Sequence, residues 1–141
     1  LARRSHGEAI TAETAIYLAD TMGEMPLLLQ MSDVTFLGGS LVPVGGHNLL
    51  EPASLGKPTL IGPHSFNFSD VTRQLCDQDA CIQVADVAAL GAELGELLGD
   101  TPRCQEKGRR GADVVAANQG AQAQTLAALV EVFGLDQASP R

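Results

Sequence analysis

The sequence contains few aromatic and few cationic residues. It has four Phe, one Tyr and no Trp among 141 residues, and its nine Lys and Arg stand against 17 Asp and Glu. The resulting net charge of -8 gives little means of neutralising phosphates, and so few rings leave little to stack on bases. These shortages argue against nucleic acid as a partner and against direct docking on an anionic membrane.

Long apolar runs and cysteine motifs are also missing. No run approaches the roughly 18 apolar residues of a transmembrane helix, and no apolar stretch follows the basic residues 1–5 to form a signal peptide. The chain begins at Leu1 rather than Met, which indicates a fragment or a processed chain. Cys76, Cys81 and Cys104 form no CxxC pair, so we interpret them as structural thiols in a reducing compartment.

What the sequence does contain is a glycine-rich stretch between two regular elements. Residues 34–37 are β-branched and aromatic and predict a short buried strand, and residues 49–55 predict a helix. Four glycines lie in the connection at residues 38–48, which carries almost no charge. A glycine-rich turn from a strand into a helix presents free backbone amides that suit a phosphate. The stretch therefore predicts a site for an anion and its attached sugar.

Short apolar segments alternate with helical ones along the chain. This order predicts an α/β fold with a parallel sheet covered by helices on both faces. Residues 1–134 are expected to form one domain, with a flexible tail at 135–141. Loops 20–24, 38–48 and 62–69 would then gather at the carboxyl edge of the sheet, where such folds bind ligands. The predicted strands are 15–18, 34–37, 59–61 and 81–84, and the helices are 26–31, 49–55, 69–76, 87–98, 101–117 and 121–133.

Several polar residues near these loops admit two roles. Asn48 is placed to cap the helix, and Glu51 could complete a capping box or accept hydrogen bonds from ribose hydroxyls. The residue pattern alone does not separate the two. His47 has the chemistry of a general base, although loop histidines more often hydrogen-bond backbone, and the same holds for His64. Arg4 has polar surroundings and is interpreted as solvated.

Together these segments resemble 3-deoxy-D-manno-octulosonic acid (Kdo) transferases, in their C-terminal donor-binding portion, from about Arg4 to Gly120. The order and spacing of three motifs carry the resemblance. They are Asp20-Thr21-Met22-Gly23-Glu24, then Gly38-Gly39-Ser40-Leu41-Val42-Pro43 with Gly45-Gly46-His47-Asn48 and Glu51-Pro52, then Gly62-Pro63-His64 with Phe66-Asn67-Phe68.

The resemblance implies a fold and an activity. It implies a Rossmann-like domain, the C-terminal half of a GT-B glycosyltransferase, which binds the CMP part of CMP-Kdo for Kdo transfer to the lipid A precursor in lipopolysaccharide biosynthesis. It implies no cofactor and no metal. The catalytic base, the surface for the acceptor lipid and the membrane association would belong to an N-terminal half, and the full-length protein would lie at the cytoplasmic face of the bacterial inner membrane.

The resemblance also assigns site residues. No catalytic residue is expected in this chain, and Val44 stands where many relatives carry Arg, which removes a cationic contact at that position. His47 and His64 are further candidates for contacts beside the donor. The residues expected to hold CMP or lie beside its phosphate are Met22, Gly23, Glu24, Gly38, Gly39, Ser40, Asn48, Leu49, Leu50 and Glu51.

Two other classes of function stay open at this point. One is a UDP-sugar glycosyltransferase or epimerase of the same architecture, and the other is a non-catalytic α/β interaction module with purely structural glycines. A chain that lacks the partner domain is expected to be inactive by itself. An uncovered sheet edge further predicts that it forms a homodimer.

Overall fold

The computed structural model describes residues 1–118 and 120–133. The chain forms two compact units, the first comprising Leu1–Met31 and the second beginning at Ser32. Strands pair in parallel in both units, and helices lie between them in the sequence. The predicted α/β class with parallel strands is therefore confirmed.

The first unit contains a two-stranded parallel sheet, a 3-10 helix at Arg4–His6 and one α-helix. Strand β1 (Ala2–Arg3) pairs with β2 (Tyr17–Leu18), and helix α1 spans Met25–Met31. The strand and helix predicted at 15–18 and 26–31 are both present. Strand β1 was not predicted, because two residues are too few to show an alternating pattern.

The second unit is built on a three-stranded parallel sheet in the order β3-β4-β5. The strands are β3 (Thr35–Leu37), β4 (Thr59–Ile61) and β5 (Cys81–Gln83), and all three were predicted. Leu37 lies opposite Ile61 in the register of β3 and β4. The carboxyl ends of these two strands are therefore neighbours, and the loops that leave them start side by side.

Apolar residues cover both faces of this sheet, because successive side chains of a strand point to opposite sides. One face carries the buried cluster of Leu37, Leu49, Ala53, Ile61, Leu75, Ala80 and Cys81. The other carries Leu60, Val84 and Leu97, with Phe36, Ile82, Leu90 and Leu94 packed against them. Apolar side chains thus pack on both faces of the three strands, as predicted for a sheet between helices.

Five α-helices follow in the described part of the second unit, each within about two residues of its predicted bounds. Asp86 caps the third of them, since its side chain accepts a hydrogen bond of 2.8 Å from the Ala89 amide. No helix of residues 1–118 and 120–133 is both long and apolar enough to cross a bilayer. Gln119 and the predicted tail at 135–141 lie outside the described residues. The helices are α2 (Leu50–Ser54), α3 (Ser69–Asp77), α4 (Val87–Gly99), α5 (Thr101–Asn118) and α6 (Gly120–Phe133).

The cysteines differ from the prediction of three structural thiols. Cys76 at the end of α3 and Cys81 at the start of β5 are joined by a disulfide. The tight turn between these two elements brings their Cα atoms within 4.9 Å, which sequence spacing alone did not indicate. Cys104 is free, and burial raises the pKa of its thiol.

Candidate functional site

The glycine-rich connection leaves β3 as a tight loop, here called the glycine loop (residues 38–48). Gly39, Gly45 and Gly46 adopt positive φ angles of 70°, 107° and 71°, a region that other residues rarely enter. The Gly46 amide donates a 3.0 Å hydrogen bond to the Gly39 carbonyl and closes the loop on itself. These three glycines are therefore required by the backbone conformation.

Several amides of the glycine loop have no partner among the residues that the structure describes. The backbone N–H groups of Gly38, Gly39 and His47 have no acceptor among residues 1–118 and 120–133. Gly38 and His47 are also exposed to solvent. Backbone amides without partners at such a turn are suited to an anionic oxygen, because each needs an acceptor from outside the protein.

Asn48 contacts the start of α2, although not from the predicted position. The helix begins at Leu50, so Leu49 occupies the N-cap position and Asn48 precedes it. The Asn48 Oδ1 atom nevertheless accepts a 3.0 Å hydrogen bond from the Leu50 amide. The prediction is wrong by one residue about the cap and right about the type of bond.

Glu51 in the first turn of α2 is exposed, and its carboxylate has no hydrogen-bond or ion-pair partner in the described part of the chain. The capping box that was one of its two interpretations is therefore not formed.

The two leucines before Glu51 differ in exposure: Leu49 is fully buried in the core, whereas Leu50 is 39% exposed. Any contact from Leu49 to a ligand must come from its backbone.

Ser40 links the glycine loop to the loop that leaves β4, here called the second loop (residues 62–68). Its side chain is fully buried, and its hydroxyl donates to the Leu37 carbonyl and accepts a 2.8 Å hydrogen bond from the Gly62 amide. Its carbonyl accepts from the His64 amide at 2.9 Å. All of these polar atoms are thus engaged within the protein, which sequence pattern could not indicate.

The second loop also covers the other end of the glycine loop. The Asn67 amide donates to the Gly45 carbonyl at 3.3 Å, and its side-chain Nδ2 donates to the Val44 carbonyl at 3.4 Å. A Cβ atom at Gly45 would lie 2.3 Å from Asn67 Nδ2 and 2.7 Å from the Phe66 ring. The two loops are therefore hydrogen-bonded and closely packed against each other, and each restricts the conformation of the other.

The two candidate histidines lie in these loops. His47 is exposed, whereas His64 is half-buried and bonded through its amide to Ser40. No group of three or more His, Cys, Asp and Glu side chains in the described residues is arranged to hold a metal ion.

In the first unit, the predicted contact residues Met22, Gly23 and Glu24 form a turn held by charged side chains. Arg4 donates through Nε at 3.0 Å and through Nη2 to the Glu24 carboxylate, and the Thr21 hydroxyl donates to it as well. These hydrogen bonds lower the pKa of Glu24 to about 2. Met22 is 96% exposed and Gly23 has a φ of 82°. Arg4 is therefore both exposed, in line with its interpretation as solvated, and ion-paired with Glu24, which that interpretation did not include.

Two cavities occur elsewhere in the second unit. One of about 410 Å³ lies between α3 and α5 beside Gln74 and Asn118. The other, of about 380 Å³, lies at the amino ends of β3 and β4 beside Lys57 and Cys104. Neither is lined by a predicted site residue, and the glycine loop is at the opposite ends of those strands.

The structure thus places the predicted residues in two groups. Those from Gly38 to Glu51 lie together in the glycine loop and α2 of the second unit, and those from Met22 to Glu24 lie in the first unit. Sequence reasoning missed Arg4 as the partner of Glu24 and Asn67 as the partner of the glycine loop. No local signal marks either pair, because their members are more than a dozen positions apart in the chain.

Comparisons with known proteins point to one family. No family model matches the sequence. The chain is 38% identical over 120 residues to 3-deoxy-D-manno-octulosonic acid transferase of Haemophilus influenzae, which covers 84% of this chain and 28% of that protein. It is 35% identical over 134 residues to the enzyme of the same name from Bordetella pertussis, covering 94% of this chain and 31% of that protein.

A solved structure gives the same relationship. The C-terminal CMP-Kdo binding domain of WaaA from Acinetobacter baumannii matches with a TM-score of 0.77 and 38% sequence identity, covering 80% of this chain and 59% of that one. The chain spans less than a third of the length of the two enzymes above. These similarities confirm the resemblance that the motifs indicated, including its C-terminal placement.

Proposed function

Because this chain is a homologue of the C-terminal portion of Kdo transferases, which are glycosyltransferases of the GT-B type, we propose that it binds the CMP part of CMP-Kdo. The observation that carries the proposal is the match in both sequence and structure to a CMP-Kdo binding domain over 80% of the chain. CMP-Kdo is then the donor in Kdo transfer to the lipid A precursor.

The glycine loop supplies groups suited to the phosphate of that donor. The amides of Gly38, Gly39 and His47 have no acceptor in the described ranges, and an anionic oxygen would satisfy them. When Kdo leaves CMP, negative charge grows on the departing phosphate. Fixed amides stabilise such charge in a transition state without having to reorganise, which is how this loop would assist transfer.

The carboxylate of Glu51 is the proposed partner of the ribose. It is exposed, unpaired among the described residues and one helical turn beyond the glycine loop. A carboxylate accepts hydrogen bonds from two neighbouring hydroxyls, as a ribose offers. Asn48 and Leu50 would border it, and Met22, Gly23 and Glu24 of the first unit are proposed to contact the nucleotide as well.

The remaining parts of the reaction are assigned to regions of the relatives that this chain does not cover. We place there the catalytic base, the surface for the acceptor lipid and the association with the cytoplasmic face of the inner membrane. The chain alone is accordingly proposed to be inactive in transfer. A homodimer of the isolated chain is proposed from the uncovered edges of its short parallel sheets.

Nucleotide-dependent thermal unfolding tests the proposal. CMP at one hundred times its dissociation constant would stabilise the fold by about 2.7 kcal/mol, enough to raise the melting temperature by several degrees. UDP at the same concentration is expected to give a smaller shift. An equal or larger shift with UDP would favour a UDP-sugar enzyme, and no shift with either nucleotide would favour an interaction module.

A further inference from the structure

We propose that Ser40 is a positioning residue, which sets the conformation of the glycine loop through the second loop and does not touch the donor. The inference rests on the proposed function for its binding consequence. The resemblance had counted Ser40 among the residues beside the phosphate. Its side chain is fully buried, however, and its hydroxyl already has both a donor and an acceptor within the protein.

The bonds of Ser40 join the ends of two neighbouring strands. The Gly62 amide, the first after β4, donates to the Ser40 hydroxyl, and the His64 amide donates to the Ser40 carbonyl. The approach is close, since a Cβ atom at Gly62 would lie 2.2 Å from the Ser40 carbonyl oxygen. One residue therefore fixes the second loop at two points.

The consequence reaches the proposed phosphate site from both sides. Ser40 directly follows Gly38 and Gly39, whose amides have no acceptor in the part of the chain that the structure describes. Gly46, next to His47, packs against the second loop, since a Cβ atom at Gly46 would lie 3.3 Å from the His64 carbonyl oxygen. Loss of the Ser40 hydroxyl would leave the Gly62 amide buried without an acceptor, and the loops would move to hydrate it. The free amides of the glycine loop would then lose their fixed conformation.

The test compares two buried hydroxyls at opposite ends of β4. Ser40→Ala removes the hydroxyl bonds to Leu37 and Gly62 and keeps the backbone bond from the His64 amide to the carbonyl of residue 40. Thr59→Val is the matched control, because Thr59 is 3% exposed, its hydroxyl donates to the Lys57 carbonyl at 3.0 Å, and it lies at the far end of the strand. Both variants are expected to melt at lower temperature than the wild type. Only Ser40→Ala is expected to weaken CMP binding, by about tenfold, as measured by calorimetry well below the melting temperature.

Hydrogen exchange separates failure of this inference from failure of the proposed function. Amides of residues 38–48 and 62–68 are expected to exchange faster in Ser40→Ala, without ligand, and to be unchanged in Thr59→Val. If the wild type does not bind CMP, the proposed function is wrong and the exchange result alone decides the inference. Unchanged exchange, or CMP affinity within twofold of wild type, would overturn it.

A second variant covers the case in which Ser40→Ala does not fold. Asn67 is exposed and holds the outer end of the glycine loop through Val44 and Gly45. Asn67→Ala should fold normally, bind CMP about threefold more weakly and exchange faster in residues 38–48. Wild-type affinity and exchange in this variant would count against a linked pair of loops.

Discussion

Glu24 and Glu51 are both proposed to contact the nucleotide, but the two carboxylates differ in their hydrogen bonding within the protein. Glu24 is bound by Arg4 and Thr21, so its oxygens are already occupied by donors from within the first unit. Glu51 is exposed and has no partner in the described residues. The comparison teaches that one carboxylate shapes its own turn, whereas the other is available to a ligand.

The loop segments that contain or precede the two carboxylates are also held in different ways. The turn of residues 20–24 is held by charged side chains, with Ser5 donating to Asp20 through its amide at 2.9 Å and its hydroxyl at 2.8 Å. The glycine loop is held by backbone bonds, one buried hydroxyl and the side-chain amide of Asn67. The first region should therefore respond to charge and pH, and the second to any added side-chain volume.

The largest loss of stability and of CMP binding is expected when a side chain is added in the glycine loop. Gly45→Ala puts a Cβ atom 2.3 Å from Asn67 Nδ2 at a φ of 107°, which should destabilise the fold by about 2–4 kcal/mol and remove CMP binding. Urea unfolding measures the first and calorimetry the second.

Gly38→Ala is the matched control for stability, because nothing lies within 4 Å of its Cβ position and its φ is not positive. Its free energy of unfolding should stay within about 1 kcal/mol of wild type. Equal losses in the two variants would show that the loop does not depend on the contact with the second loop.

The intermediate effect comes from exchanging the two carboxylates for amides. Glu51→Gln should weaken CMP binding about tenfold, since a hydrogen bond to a charged group is lost, while the melting temperature is unchanged. Glu24→Gln, in contrast to Glu51→Gln, should lower the melting temperature, because Arg4 loses its ionic partner. Wild-type CMP affinity in Glu51→Gln would remove the ribose assignment.

The smallest effect is the pH dependence of the first region. The folded pKa of Glu24, about 2, lies below its ordinary value of 4.5, so protonation favours the unfolded state. The contribution of Glu24 to stability is fully present above pH 4.5 and is lost as the pH falls toward 2.

Unfolding of wild type and Glu24→Gln by urea at several pH values measures that contribution. The gap between the two proteins should be constant near neutral pH and close progressively below pH 4.5. Glu106, whose pKa is also held at about 2, titrates in both proteins and cancels in the difference. A gap of the same size at pH 3 and pH 7 would contradict the assigned pairing.

Much of the fold could be predicted from sequence because its signals are local. Runs such as Thr59-Leu60-Ile61 are apolar on both faces, Asp86 precedes an apolar helix, and the glycines of residues 38–46 mark a turn. The site was predicted with less detail. The amides and Glu51 follow from their own segment, whereas the ion pair of Glu24 and the buried state of Ser40 do not.

The amino-acid sequence by itself determined the order of strands and helices and the glycine loop, because each depends on residues close together in the chain. It also determined the relationship to Kdo transferases, because motifs and their spacing can be read without a structure. Only the tertiary structure decided which polar groups remain free. Ser40 meets Gly62 and Arg4 meets Glu24 across 22 and 20 positions, and Cys76 is joined to Cys81 by a turn. Such pairings form when packing brings the ends of two elements together. The local sequence around either residue does not indicate its partner.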